Sequence, residues 1–155
     1  MSYKDVLVHL DSSEVCAARV AAALELAKRD GASVTGIAMA LESTISTYIG
    51  IDFPSSLTEA QQEIVQKSAD DAVAKFEAAA TEAGVKFKSR IIRCPATKAA
   101  ARLAFFARHA DVTFLGQADP DSEGRAFQES LLDSVLHVSG RPVYLVPYIG
   151  RFEHK

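Results

Sequence analysis

Asp111 to Pro147 reads DVTFLGQADPDSEGRAFQESLLDSVLHVSGRPVYLVP. It opens on a short apolar run, Val112-Thr113-Phe114-Leu115, which stops at Gly116. An acidic loop from Gln117 to Glu123 follows. A stretch with helical character then runs from about Arg125 to Val138, Gly140 breaks it, and Val143 to Val146 is apolar again. Strand, loop, helix and strand make one βαβ unit. In such units ligands meet the loop after the strand and the start of the helix. What the chain does therefore turns on whether the loop after Gly116 holds an anion.

Upstream, the same alternation repeats. Val6 to Leu10 is nearly all apolar, as a central parallel strand buried on both faces requires. Asp11-Ser12-Ser13 ends it and offers N-cap oxygens. Val15 to Arg29 is an Ala-rich helix with Val20, Leu24 and Ala27 on one face, Lys28 and Arg29 in its last turn and Gly31 as its C′ residue. A second strand spans about Ser33 to Ala40. Leu41 to Leu57 is irregular, and its scattered apolar residues from Ile45 to Phe53 suggest a flap. Thr58 with Gln61 has the form of a capping box before a long helix, Glu59 to Ala83, closed by Gly84. From Val85 to Arg93 apolar residues alternate with Lys86, Lys88 and Arg90, the pattern of a half-exposed edge strand. Pro95 and Thr97 open a third helix, about Lys98 to His109. The tail from Tyr148 reads as loosely held.

This order predicts an α/β fold: an open five-stranded parallel sheet with helices on both faces. The apolar strands 1 and 4 belong in the centre and strand 3 at an edge, giving the spatial order 3-2-1-4-5. The switch point then falls between strands 1 and 4, at Asp11-Ser12-Ser13 and Gly116-Gln117, and ligands bind at such a point. One domain from residue 1 to 148, with a tail from 149 to 155, accounts for the length.

Composition excludes several classes. Net charge is −3 and the charged fraction 24%, so nothing steers the chain towards nucleic acid or an anionic membrane. Lys86, Lys88, Arg90 and Arg93 read as a solvated face. Cys16 and Cys94 lack metal-ligand spacing and fit a reducing cytoplasm. No signal peptide or membrane-length apolar run is present in the sequence. Neither a G-x-S-x-G elbow nor a Walker A motif occurs, which leaves an enzyme reading with little support.

VLVHLDSSE from Val6, GASVTGIAMA from Gly31, ADVTFLG from Ala110 and SVLHVSGRPVYLVP from Ser134 together resemble the universal stress protein family along almost the whole chain. The resemblance implies a Rossmann-like domain of the adenine nucleotide alpha hydrolase type and a cytoplasmic stress-response module that pairs into a homodimer through Val143 to Val146. It also implies that Asp11 and Ser12 face an adenosine ligand, with backbone near Ala38 to Ala40 lining the base. Members that bind ATP carry Gly, two residues, Gly, nine residues, Gly, then Ser or Thr. Here Gly116 holds the first position and Asp119 stands three on. Counted back from Ser134, Asp133 takes the last glycine position and Glu123, next to Gly124, the middle one, with four extra residues between. Gln117, Arg125 and Ser134 remain as candidate ligand contacts.

Chemistry makes the departure matter. Glycines let backbone N–H groups approach phosphate closely. Asp119, Asp121, Glu123, Glu129 and Asp133 stand against Arg125 alone between Gly116 and Ser134. Each carboxylate beside a phosphate costs about 1 kcal/mol even in water-like surroundings, against roughly 0.3–1 kcal/mol from a helix N-terminus. The expectation is therefore a non-enzymatic module that does not bind ATP strongly. The alternative is a sensor of ATP or AMP, with Mg if a triphosphate is held. His9 reads as a buried, satisfied histidine, Asp11 as either a cap or a ligand contact, and His109, His137 and His154 as solvated or capping groups.

Overall fold

The computed structural model describes residues 2–42 and 55–149. Its central strand, β1 (Asp5–Leu10), is buried from Val6 onward. α1 (Cys16–Asp30) follows, rich in alanine, the best helix former. It ends at Gly31, whose φ of 68° allows its N–H and that of Ala32 to turn back onto the Ala27 carbonyl. The chain continues through β2 (Ser33–Glu42), α2 (Ser55–Ala83), β3 (Phe87–Pro95), α3 (Ala96–Ala107), β4 (Val112–Gly116), α4 (Arg125–Val138) and β5 (Val143–Val146). The strand order is β3-β2-β1-β4-β5, and every neighbouring pair is parallel. This is the expected order, with β3 at one edge.

Two apolar cores flank the sheet. Val6, Val8 and Leu10 pack with Val20 and Leu24 of α1 and Phe76 of α2. Leu7 and Ile37 join Leu103 of α3 and Leu131 and Val135 of α4. Period-two alternation along β1 thus divides its side chains between the cores. Among the described residues no helix is long and apolar enough to cross a membrane.

Several boundaries differ from the sequence expectation. α1 is not capped by Asp11, Ser12 or Ser13. Its cap position is Val15, without a side-chain cap, because a turn intervenes in which Cys16 N–H donates to the Ser13 carbonyl. α2 already runs from Ser55, so Thr58 and Gln61 lie inside it. β2 extends two residues further, to Glu42, since β3 pairs alongside it as far as Glu42↔Pro95. The Ile45–Phe53 flap and the tail from 150 lie outside the described residues.

One register detail positions the site. β1 pairs with β4 only from Val6↔Val112 to Val8↔Phe114. β1 meanwhile pairs with β2 up to Leu10↔Ala38, and β4 with β5 up to Gly116↔Val146. Each central strand thus keeps its outer neighbour and parts from the other. The result is a fork at the carboxyl ends.

Candidate functional site

Arg19 fills this fork. It lies on the same helical face as Cys16, Val20, Ala23 and Leu24 and is 1% exposed. Its Nη1 donates to the His9 carbonyl at 2.8 Å, a backbone acceptor freed where the β1–β4 ladder ends. Nη1 and Nη2 both donate to Asp11 Oδ2, at 3.2 and 3.1 Å. The other carboxylate oxygen, Oδ1, accepts from Ser13 N–H at 3.0 Å and from the Ser13 hydroxyl. Asp11 is therefore saturated by its own chain. Its expected role as a cap on α1 is replaced by a local turn to Ser13 and a buried ion pair to Arg19.

The titrations follow from this packing. Burial, then the Arg19 charge, lowers His9 to about 4, with Asp11 opposing weakly. His9 Nδ1 lies 3.3 Å from Arg19 Nη1, which suits a neutral imidazole accepting a hydrogen bond. It is the buried, satisfied histidine expected from the sequence. Burial resists ionisation of Asp11, yet Arg19 and the Ser13 hydrogen bonds outweigh it and hold the carboxyl below its ordinary value. Burial pushes the Cys16 and Cys94 thiols up, so neither is an activated nucleophile.

Two spaces adjoin Arg19. The first is a void of about 10 Å³ lined by His9, Asp11, Arg19, Leu115, Gly116, Gln128 and Leu131. The space in which a Gly116 Cβ would sit is taken by the guanidinium, with Nη2 at 3.0 Å. The second is a crevice of about 280 Å³ over the ends of β1 and β2. Asp11, Ser12 and Ser13 line it from β1 and the turn after it, Ala38 and Met39 from β2, Ser68 and Ala72 from α2, and Phe127 and Gln128 from the first turn of α4.

The sequence candidates are only partly brought together. Asp11, Ser12 and Ala38 line the crevice, while Gly116 lines the void and neither Gln117 nor Arg125 lines either. Gln117 N–H is used in the sheet, donating to the Val146 carbonyl. Arg125 is tied to Glu129 at 2.7 Å. Ser134 sits more than two turns into α4, away from any helix N-terminus, and lines neither space. Counted forward from Gly116 with its own spacings, the glycine pattern lands on Asp119, Glu129 and Ser130 without extra residues. Both later glycines are then carboxylates. Met39, Phe127 and Gln128 were missed, because a crevice roofed by α4 is a tertiary feature. Arg19 had a readable signal, a charge on the apolar face of a helix.

An open parallel sheet with a crevice at the carboxyl ends of its strands, here β1 and β2, is a nucleotide-fold architecture. The Universal stress protein family pattern matches residues 2–147, and the chain belongs to that family. No curated protein sequence matches it. Among solved structures, the universal stress protein UspA from Lactobacillus plantarum is 18% identical, with a TM-score of 0.71 over 94% of this chain and 99% of that one. A universal stress protein in complex with cAMP is 17% identical, with a TM-score of 0.64 over 94% and 98%. The universal stress protein from Archaeoglobus fulgidus in complex with dAMP is 18% identical, with a TM-score of 0.55 over 94% and 98%.

Proposed function

We propose that this chain is a non-enzymatic, cytoplasmic universal stress protein module that acts as a homodimer and takes an adenosine-type ligand carrying few phosphates. The observation that carries this reading is the crevice of about 280 Å³, whose lining contains one ionised side chain, Asp11, already paired. Its size is at the small end for ligand pockets. Met39 and Phe127 supply apolar walls for a base, and Ser12, Ser13 and Gln128 supply polar groups. Relatives of the same fold were crystallised with cAMP and dAMP. The non-enzymatic part is supported by the engagement of each reactive candidate: Asp11 is saturated, His9 is buried and both thiols are pushed up.

Half-buried Asp119 and exposed Asp121 and Glu123 in the loop after Gly116 oppose a triphosphate unless Mg is bound with it. Dimerisation is supported by β5, which ends the sheet. Leu145 in β5, Leu136 and Val138 before it and Ile149 after it are all exposed apolar residues.

Isothermal titration with adenosine, AMP and ATP, each with and without Mg, tests the ligand. Heat is expected with adenosine and AMP, and none with ATP alone. No heat with any of them rejects the binding reading. Light scattering at micromolar protein should give the dimer mass, and a monomer mass overturns the pairing. ATP turnover no faster than in buffer is the expected result for a non-enzyme.

A further inference from the structure

The crevice does not end at Ser12. It adjoins a second cavity of about 270 Å³. Asp11, Ser12, Ser68 and Ala72 belong to both. Lys67, Asp71 and Lys75 line this second space and not the crevice. Their spacing of four places them on one face of α2. Among the described residues neither lysine forms an ion pair. Asp11, which also lines this space, has its charge answered by Arg19. Two free cations thus face one free carboxylate.

The opposite side of the crevice carries the reverse balance. The loop after Gly116 carries half-buried Asp119 and exposed Asp121 and Glu123, and its cation Arg125 is held by Glu129. The space that a side chain on Gly116 would take is filled too, by the Arg19 guanidinium. A phosphate leaving the crevice therefore meets repulsion on the loop side and attraction on the α2 side.

We propose that Lys67 and Lys75, with Ser12, which lines both spaces, form a monophosphate subsite on α2, so that the ligand class is a nucleoside monophosphate whose phosphate points away from the glycine loop. This rests on the adenosine-type ligand of the preceding section and adds the place of its charge. Both lysines are exposed, so their replacement leaves the core intact.

Isothermal titration of AMP and of adenosine into the wild type, Lys67→Gln/Lys75→Gln and Arg125→Gln tests it. The wild type should bind AMP about tenfold more tightly than adenosine. That gap should shrink as salt rises from about 20 to about 500 mM, because exposed charges are screened. The double lysine variant should close the gap while adenosine affinity stays within about twofold. Arg125→Gln should leave both ligands unchanged. A gap that survives the lysine changes, or one closed by Arg125→Gln, overturns the subsite and leaves the crevice reading standing. AMP binding no tighter than adenosine also overturns it. No heat with either ligand rejects the crevice reading and the subsite together.

Discussion

Gly36 in β2 and Gly116 in β4 lie in one sheet, and neither has room for a side chain. A Cβ on Gly36 would stand 2.7 Å from Phe76 Cδ1 and Cε1 and 2.9 Å from Leu10 Cδ1. A Cβ on Gly116 would stand 3.0 Å from Arg19 Nη2 and 3.2 Å from Cζ. Neither needs a positive φ. Gly36 belongs to no phosphate-binding pattern, and what it admits is an aromatic ring of the apolar core. Gly116 stands where a phosphate-binding pattern asks for glycine, yet what it admits is an arginine of its own chain. A motif glycine is thus explained by what fills the space it leaves, and here that is a buried cation in the fork between β1 and β4.

The comparison breaks most directly at Arg19. Arg19→Met keeps much of the volume and removes the charge. It strands the partly buried Asp11 carboxylate and the His9 carbonyl. Losing one partner of a buried pair costs about 3–5 kcal/mol, and the lower end is expected because Asp11 retains 23% exposure. Urea unfolding should show it, and adding Asp11→Asn should recover part. A loss below about 1 kcal/mol would mean that the guanidinium does not hold the fork together.

The same cluster makes an acid-sensitive core. His9 titrates near 4 in the fold against 6.5 in the unfolded chain. Between those values the unfolded state binds the proton and the native state does not, so stability falls as pH drops from about 6.5 to about 4. The size is about 3 kcal/mol. Asp11, held below its ordinary value, contributes stability above that value and loses it only at lower pH, as its folded carboxyl protonates. Thermal melts across this range should flatten in His9→Gln. An unchanged slope would place the sensitive group elsewhere.

At the apolar glycine the expected effect is smaller. Gly36→Ala drives a methyl into the Phe76 ring, and overpacking of this kind costs about 1–3 kcal/mol. Phe76→Leu should relieve it, so the double variant should be more stable than the sum of the two changes predicts. Additive losses would mean that the backbone of β2, and not the ring, resists the methyl.

What the sequence disclosed follows the range of the forces involved. Apolar runs against alternating ones placed β1 and β4 centrally and β3 at the edge, because burial on both faces demands apolar residues at successive positions. The ends of α4 and β5 were legible from Gly140 and Pro142. Asp11 and Ser12 were legible as crevice residues because they follow the end of β1, and the family resemblance pointed to Ala38, which pairs with Leu10 at that end. Arg19 was not read as part of the site, although Cys16, Arg19, Val20, Ala23 and Leu24 share one helical face. The capping box at Thr58 was a local pattern overridden by a helix already under way. Ser134 closes the glycine pattern only with four extra residues, whereas the spacings taken forward from Gly116 end on Ser130. Gln128 and Phe127 depend on how α4 lies over the sheet, which no local pattern encodes.

The smallest effect separates the two glycines most cleanly. In Gly116→Ala the new methyl meets the end of a long side chain rather than a fixed ring. The guanidinium is pinned by Asp11 and the His9 carbonyl, so it yields by a few tenths of an ångström at the expense of those bonds. A loss of about 1 kcal/mol is expected, the scale of one hydrogen bond. In an Arg19→Lys background the shorter, compact ammonium leaves that space open, so the alanine should cost little there. A double-mutant cycle by urea unfolding should then give a coupling of at least about 0.5 kcal/mol. No coupling would separate Gly116 from Arg19. If Gly116→Ala left stability untouched and abolished AMP binding, the glycine would belong to a phosphate site after all, and the contrast with Gly36 would become one between a ligand and a core.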